Sequence, residues 1–235
     1  MPVSARFEAK QAFVLRSPQI RSIWTTIQQH IGPVEAEASC VDGIERTFAS
    51  LDELLQYENP RTRAITKLSF QARSSDRSTR CRITFGGRYS ATIEATASGL
   101  ESSVTSWRTA MEEIIDGCRP WYSPIARVDF FTVVWALLML SIVVVTPMVD
   151  FSKKNQPMEF SQALVNAAKV FLFMATVALT TVALNRLRQR FFPIATFVIG
   201  QGEARFAFEE NIRWIVIMGF LVSTFASLVV AFLWG

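Results

Sequence analysis

The sequence has few of the residues on which most enzymes and metal sites depend. It contains one histidine, His30, and three cysteines, of which no two form a CxxC pair. His30 lies near the predicted end of a helix and is expected at the surface. HExxH, GxSxG and Walker motifs are absent as well. We therefore expect no enzymatic activity and no metal or cofactor, and we expect free thiols in a reducing compartment.

The N-terminal segment lacks the uncharged apolar run of a signal peptide. Arg6, Glu8 and Lys10 occupy the positions where such a peptide has its apolar region. Export of the first half of the chain by a cleaved signal is therefore not expected.

Apolar residues are abundant instead, at 50% of the 235 residues. They concentrate in three runs with almost no charge, over 130–149, 163–185 and 214–234. Each run has about the 20 residues that a helix needs to cross a ~30 Å hydrocarbon core. The sequence therefore predicts a cytoplasmic α+β sensor domain over residues 1–122, and a three-helix transmembrane domain over 123–235 with a cytoplasmic loop at 186–213.

Basic residues flank these runs unequally. The 150–162 loop contains only Lys153 and Lys154. The other side of the predicted membrane has seven arginines: Arg119, Arg127, Arg186, Arg188, Arg190, Arg205 and Arg213. By the positive-inside rule, the N-terminal domain is predicted to be cytoplasmic at a bacterial inner membrane, with the C-terminus outside.

The first half of the chain has the patterns of an antiparallel sheet covered by helices on one face. Strands are predicted over 7–15, 34–40, 64–72, 79–85 and 89–97, the last three as a meander. One helix is predicted to follow Ser17, and two more to follow the capping boxes Ser50–Glu53 and Ser98–Glu101. The other sheet face would remain available for a ligand or partner.

Positive charge is concentrated on the predicted meander. The segment from Pro60 to Ile93 contains eight basic residues against Asp76 alone. Strand alternation would place five of them on one sheet face, as candidate ligand-binding residues: Arg63, Lys67, Arg73, Arg80 and Arg82. Guanidinium groups bind phosphate oxygens bidentately, so a nucleotide or short oligonucleotide is the predicted ligand. Alternatively, these cations pair with the acidic N-terminal region or a neighbouring subunit, or face anionic lipid.

The second apolar run contains a polar stripe. At 100° per residue, four side chains fall on one side of the helix: Asn166, Lys169, Thr176 and Thr180. Copies of this stripe around the axis of a homo-oligomer, such as a tetramer, would line a pore with a preference for anions. In the alternative interpretation, Lys169 extends to the membrane interface and the threonines bond to their own helix.

A short motif precedes the third run: Pro193-x-x-x-Phe197-x-Ile199-Gly200-x-Gly202-x-x-Arg205. With this motif and its overall architecture, the chain resembles small bacterial membrane effectors of anti-phage defence, the HalA-type subunits of the Hailong system. The resemblance implies an oligomeric ion channel controlled by a DNA oligomer that a nucleotidyltransferase partner makes.

Two hypotheses follow from the sequence. The first is an oligomeric, ligand-controlled membrane effector or channel in which the 163–185 helix lines the pathway. The second is a membrane anchor or adaptor whose soluble domain docks a partner protein.

Overall fold

The computed structural model describes residues 2–76, 78–86, 93–145 and 160–234. Its eight strands are β1 Pro2–Ala9, β2 Phe13–Arg16, β3 Val34–Cys40, β4 Glu45–Phe48, β5 Ile65–Arg73, β6 Arg80–Phe85, β7 Ile93–Leu100 and β8 Ala195–Val198. Its helices are α1 Ser17–His30, α2 Leu51–Gln56, α3 Glu101–Gly117, α4 Ser123–Ala126, α5 Phe130–Val145, α6 Phe160–Phe191 and α7 Gln201–Trp234, and a 3-10 turn spans Arg61–Arg63.

The chain forms two compact units. One consists of Met1–Pro124 together with Pro193–Gly235, and the other is Ile125–Phe192. Residues 193–235 thus group with the N-terminal sheet, whereas the sequence predicts a domain boundary after residue 122. The reason is that β8 pairs with β2 and bonds to Asn59, and that Arg205 of α7 bonds to Asn59 as well.

A six-stranded antiparallel sheet forms the centre of the first unit, with the strand order β1-β7-β6-β5-β3-β4. Helices α1 and α3 pack on one face of it, so the predicted antiparallel sheet with helices is confirmed. The core between these layers includes Trp24, Phe70, Phe85 and Trp107, all buried. The predicted meander is β5-β6-β7.

Local sequence signals predict one helix start correctly and another incorrectly. Ser50 Oγ accepts a hydrogen bond from the Glu53 N–H at 3.2 Å, which confirms the first capping box. The second box does not form, because β7 continues to Leu100 and α3 begins only at Glu101. Ser98 is held in the sheet instead, opposite Ser4 of β1.

The single strand predicted over 7–15 is two strands in two different sheets. β1 pairs with β7 as far as Ala9, after which the chain leaves the six-stranded sheet. Ala12 N donates to Ser123 Oγ at 3.1 Å, and Phe13 N donates to the Ile194 carbonyl at 2.9 Å. Strand β2 then pairs in parallel with β8, in a second sheet of two strands.

The segment predicted as a loop at 186–213 is largely regular structure. Helix α6 continues to Phe191, β8 follows, and α7 begins at Gln201. The α7 residue Arg213 has a fully buried side chain, which pairs with Glu209 and Glu210. Its guanidinium also lies over Tyr122 and Phe206, at 4.5 and 5.3 Å from their ring centroids.

The second unit contains α5 and α6. The Arg188 guanidinium near the end of α6 donates to the carbonyls of Ala126 and Val128, which precede α5. Within the described residues, one helical stretch, Phe171–Phe191, is long and apolar enough by length and composition to cross a membrane. The end of the predicted first run and the 150–159 part of the loop after it fall outside the described residues.

Candidate ligand-binding surface

The sheet face opposite α1 and α3 carries four of the five predicted cations. Lys67 and Arg73 on β5, and Arg80 and Arg82 on β6, are exposed. Their strand neighbours point into the core, as Cys81 and Ile83 do on β6. We call the outward face of β1, β7, β6 and β5 the arginine face, defined by Arg6, Arg73, Arg80 and Arg82.

Arg63 is not part of this face, so its predicted strand position is wrong. It ends the 3-10 turn Arg61–Arg63, and β5 begins two residues later. Its backbone carbonyl accepts a hydrogen bond from the Tyr57 hydroxyl at 2.7 Å, which holds the turn. Side chains alternate between the two faces of a sheet only within a strand. Because Arg63 lies before β5, its position in the sequence does not assign it to a face.

Lys67 lies on the same face of the sheet as Arg73 but at the other end of β5. Six residues separate it from Arg73 along β5, or about 20 Å at 3.3 Å per residue. Its cross-strand partner is Ser39 of β3. A single mononucleotide could not contact both ends of this strand.

Two of the arginines are direct cross-strand neighbours. Arg73 of β5 lies opposite Arg80 of β6, and Arg82 lies opposite Gln71. Like charges directly opposite each other destabilise a sheet, because their side chains start only about 5 Å apart. Arg80 Nε donates to Ser98 Oγ at 3.1 Å, which orients its guanidinium. An anion between the two guanidinium groups would relieve their repulsion.

The arginine face borders an open depression of about 870 Å³. Uncharged polar side chains from several strands add donors and acceptors to its wall: Ser4, Gln71, Thr96 and Ser98. Arg6 also lines the depression, as do the hydroxyls of β7, and none of these residues is among the predicted ligand-binding residues. The alternation of Arg6 and Glu8 with Phe7 was the signal that could have placed Arg6 on this face.

Acidic residues neutralise part of the surface. Arg82 lies 3.8 Å from Glu37 of β3, and Arg6 pairs with Glu8 at 2.6 Å. Within the described ranges, neither Arg73 nor Arg80 forms an ion pair. The predicted alternative, pairing with acidic residues of the N-terminal region, thus applies to Arg82 and leaves the opposed pair available to a ligand.

Buried Asn59 connects the start of β5 to the C-terminal segment. Its Oδ1 accepts from Ile65 N at 2.9 Å, and its Nδ2 donates to the carbonyls of Phe197 and Ile199 at 3.1 and 3.4 Å. The Asn59 carbonyl accepts from the Arg205 guanidinium at 2.9 Å. We call these contacts the Asn59 latch. They involve three of the motif residues on which the sequence resemblance depends.

Two glycines of that motif allow the segment to approach closely. Gly200 has a φ of +51°, and a Cβ there would lie 2.5 Å from the Glu58 carbonyl oxygen. A Cβ on Gly202 would lie 2.5 Å from the Phe197 carbonyl oxygen and 2.9 Å from Asn59 Nδ2. Both positions therefore require glycine.

Helix α6 contains all four residues of the predicted polar stripe. Lys169, Thr176 and Thr180 are exposed, while the side chain of Asn166 lies outside the described part. Thr176 Oγ1 donates to the Leu172 carbonyl at 2.8 Å. Thr176 thus bonds to its own helix, as the alternative interpretation expects.

No protein-family model, curated protein or solved structure matches the chain.

Proposed function

We propose that this protein is an oligomeric membrane effector, in which a cytoplasmic domain binds a nucleotide or short oligonucleotide and thereby controls an ion pathway. The observation that carries the proposal is the continuity of α7. This helix of 34 residues begins at Gln201, whose N–H donates to the Glu58 carbonyl at 2.8 Å, and continues without interruption into the uncharged run 214–234. A movement of the N-terminal domain would therefore be transmitted directly to an apolar helix.

The opposed pair Arg73 and Arg80 supports an anionic ligand. Two cations on adjacent strands are unfavourable in the empty state, and a phosphate that accepts from both converts the repulsion into two charge-assisted bonds. The hydroxyls of Ser98 and Thr96 line the same depression and can bond to a sugar or base edge. A volume of about 870 Å³ suits a nucleotide-sized ligand.

The Asn59 latch supports coupling between that ligand site and the helices. Strand β5 carries Arg73 at its end and Ile65 at its start. Ile65 N bonds to Asn59, and Asn59 bonds to β8 and to Arg205 of α7. A shift of β5 towards a bound phosphate would act on the base of α7 through these bonds.

The membrane part of the proposal has three spans, over 130–149, 163–185 and 214–234. Copies of the α6 stripe around the axis of a homo-oligomer, such as a tetramer, would line the pathway, with Lys169 favouring anions. The N-terminal domain, residues 1–122, would lie on the cytoplasmic side of the bacterial inner membrane. The resemblance of the sequence to HalA-type subunits supports a role in anti-phage defence, with a nucleotidyltransferase as the source of the ligand.

A second candidate function is an adaptor that anchors a partner protein to the membrane. The mixed charge of the sheet's outward face favours it, because Glu37 pairs with Arg82 and Glu8 with Arg6. Charges of both signs can fix the register of an interface when the partner's surface carries the complementary charges. The adaptor would bind its partner without conducting ions.

Ion flux from liposomes distinguishes the two functions. The full chain is reconstituted with an encapsulated salt, and flux is measured with nucleoside triphosphates and short oligodeoxynucleotides. The effector requires a flux that changes with one of these ligands, and it requires that Arg73→Glu with Arg80→Glu remove the response. Arg21→Glu, on the exposed side of α1, is the matched control and should respond as wild type.

Two results would contradict the effector. Absence of conductance with every ligand would favour the adaptor. Unchanged ligand response in the Arg73→Glu, Arg80→Glu variant would remove the arginine face from the site. Lys169→Met tests the pathway separately, since unaltered conductance and ion preference would exclude the α6 stripe from the pore.

A further inference from the structure

Strand β1 is an exposed edge of the six-stranded sheet. It has β7 on one side and no strand on the other within the described residues, over eight residues or about 26 Å. The opposite edge strand, β4, has four residues. Long edge strands pair readily with another chain unless a bulge, a lysine or an internal proline prevents it. Pro2 is the only proline of β1, at its first residue, and the strand contains no lysine.

We propose that a second copy of this chain pairs with the β1 edge in an antiparallel arrangement centred on Phe7, in which residues 5–9 of the two β1 strands lie opposite each other. The two sheets would then form one continuous sheet around a twofold axis. This pairing would be one interface of the homo-oligomer in the proposed function. It rests on that function only because both require the subunits to associate. Subunit association, and not ion flux, is what its test measures.

Charge selects this register. With Phe7 opposite Phe7 of the second copy, each Arg6 lies opposite a Glu8, and both lie on the outward face. A register centred on Arg6 would place the two Arg6 side chains opposite each other. A register centred on Glu8 would do the same with the two Glu8 side chains. Shifts by an odd number would place the outward residues of one copy opposite the core-facing residues of the other. Only the register centred on Phe7 forms two ion pairs.

The position of helix α3 is compatible with the same twofold axis. It packs over β1 and β7, and Phe7 contacts Trp107 in its middle, with ring centroids 6.1 Å apart. Strands about 4.8 Å apart would place α3 and its copy roughly 10 Å apart, which is an ordinary distance between packed helices.

The side of α3 that would face its copy carries one positive and one negative side chain. Ser106 bonds to His30 of α1, so the opposite side of α3 points towards the β1 edge. That side holds Arg108 and Glu112, an exposed ion pair with 2.8 Å between Nε and Oε1. In a twofold arrangement these two residues can exchange partners with those of the second copy.

Disulfide cross-linking of the full chain in detergent tests the pairing. One tagged chain carries Arg6→Cys, and a differently tagged chain carries Glu8→Cys. Co-expressed and oxidised, they should give a covalent dimer with both tags, because positions 6 and 8 face each other while the remaining Arg6 and Glu8 still pair. Each variant alone should give at least tenfold less dimer, and Glu45→Cys on β4 is the matched control.

The native thiols do not interfere, because Cys40, Cys81 and Cys118 are buried. Dimer formed equally by each variant alone would overturn the register, and absence of dimer from the mixture would overturn the interface. Charge reversal gives an independent measurement: Arg6→Glu and Glu8→Arg chains should each self-associate poorly, and association should recover when they are mixed. Without recovery, the loss reflects the Arg6–Glu8 pair within one chain, and the proposal fails.

Discussion

Replacement of Asn59 is the strongest test of the latch between the sheet and the C-terminal segment. The residue is 1% exposed and has a φ of +48°, in the left-handed region. Asn59→Ala removes the acceptor of Ile65 N and the donor to the Phe197 and Ile199 carbonyls. It also places a residue other than Gly, Asn or Asp in a conformation that such residues rarely adopt.

The expected loss of stability can be worked out from these contacts. A buried N–H left without a partner costs about 1–3 kcal/mol, and the carbonyls add about 1 kcal/mol for their lost bonds. The positive φ adds roughly 1 kcal/mol for alanine but none for glycine. Asn59→Ala should therefore lose about 4 kcal/mol and Asn59→Gly about 3 kcal/mol. The alanine variant should lower the melting temperature by roughly 10 °C.

The assay is thermal unfolding of the full chain in detergent, followed by tryptophan fluorescence, with limited proteolysis between residues 192 and 200. Both variants should expose β8 to the protease at temperatures where the wild-type chain resists. Gln56→Ala, at the exposed end of α2, is the matched control and should leave both readouts unchanged. A melting temperature for Asn59→Ala that is indistinguishable from that of the wild-type chain would refute the reasoning.

Three further predictions follow from other contacts. Gly200→Ala should destabilise the chain by about 2 kcal/mol or more in the same assay, because its Cβ would meet the Glu58 carbonyl at 2.5 Å, whereas Gly117→Ala meets nothing within 4 Å and should not. Burial raises the pKa of the Cys81 and Cys118 thiols to about 12, so both should resist alkylation up to about pH 10 in the folded protein, and the stability from their neutral form should be lost as pH rises from about 9 towards 12. Glu209→Gln with Glu210→Gln should cost about 3 kcal/mol, measured by melting, since the fully buried Arg213 loses both carboxylates.

The sheet and its charged face could be predicted from local patterns. Along β6, polar and apolar residues alternate from Arg80 to Phe85, and this period of two is sufficient to assign each side chain to a face. The same rule fails at Arg63, because the Tyr57 hydroxyl bond and Pro60 produce a 3-10 turn before the strand begins. Alternation shows which face a residue occupies only where the strand is already established.

The packing of the C-terminal segment of the first unit could not be predicted, because its contacts join distant parts of the chain. Asn59 and Phe197 are 138 residues apart, and no local pattern indicates that one bonds to the other. The 193–205 motif is visible in the sequence, but its glycines alone indicate only a tight turn. Their role depends on the Glu58 carbonyl, which only the folded chain places beside them.

The parallel pairing of β2 with β8 has a consequence for biosynthesis. Phe13 finds its partner Ala195 only after about 180 further residues have been made, which takes roughly 10–40 s at 5–20 residues per second. Until then, Phe13 can contact Phe85 but lacks Phe197, the second ring that packs on it. The N-terminal domain therefore completes its fold after α5 and α6 have left the ribosome, and a chain truncated before residue 195 should be a substrate for chaperones and proteases.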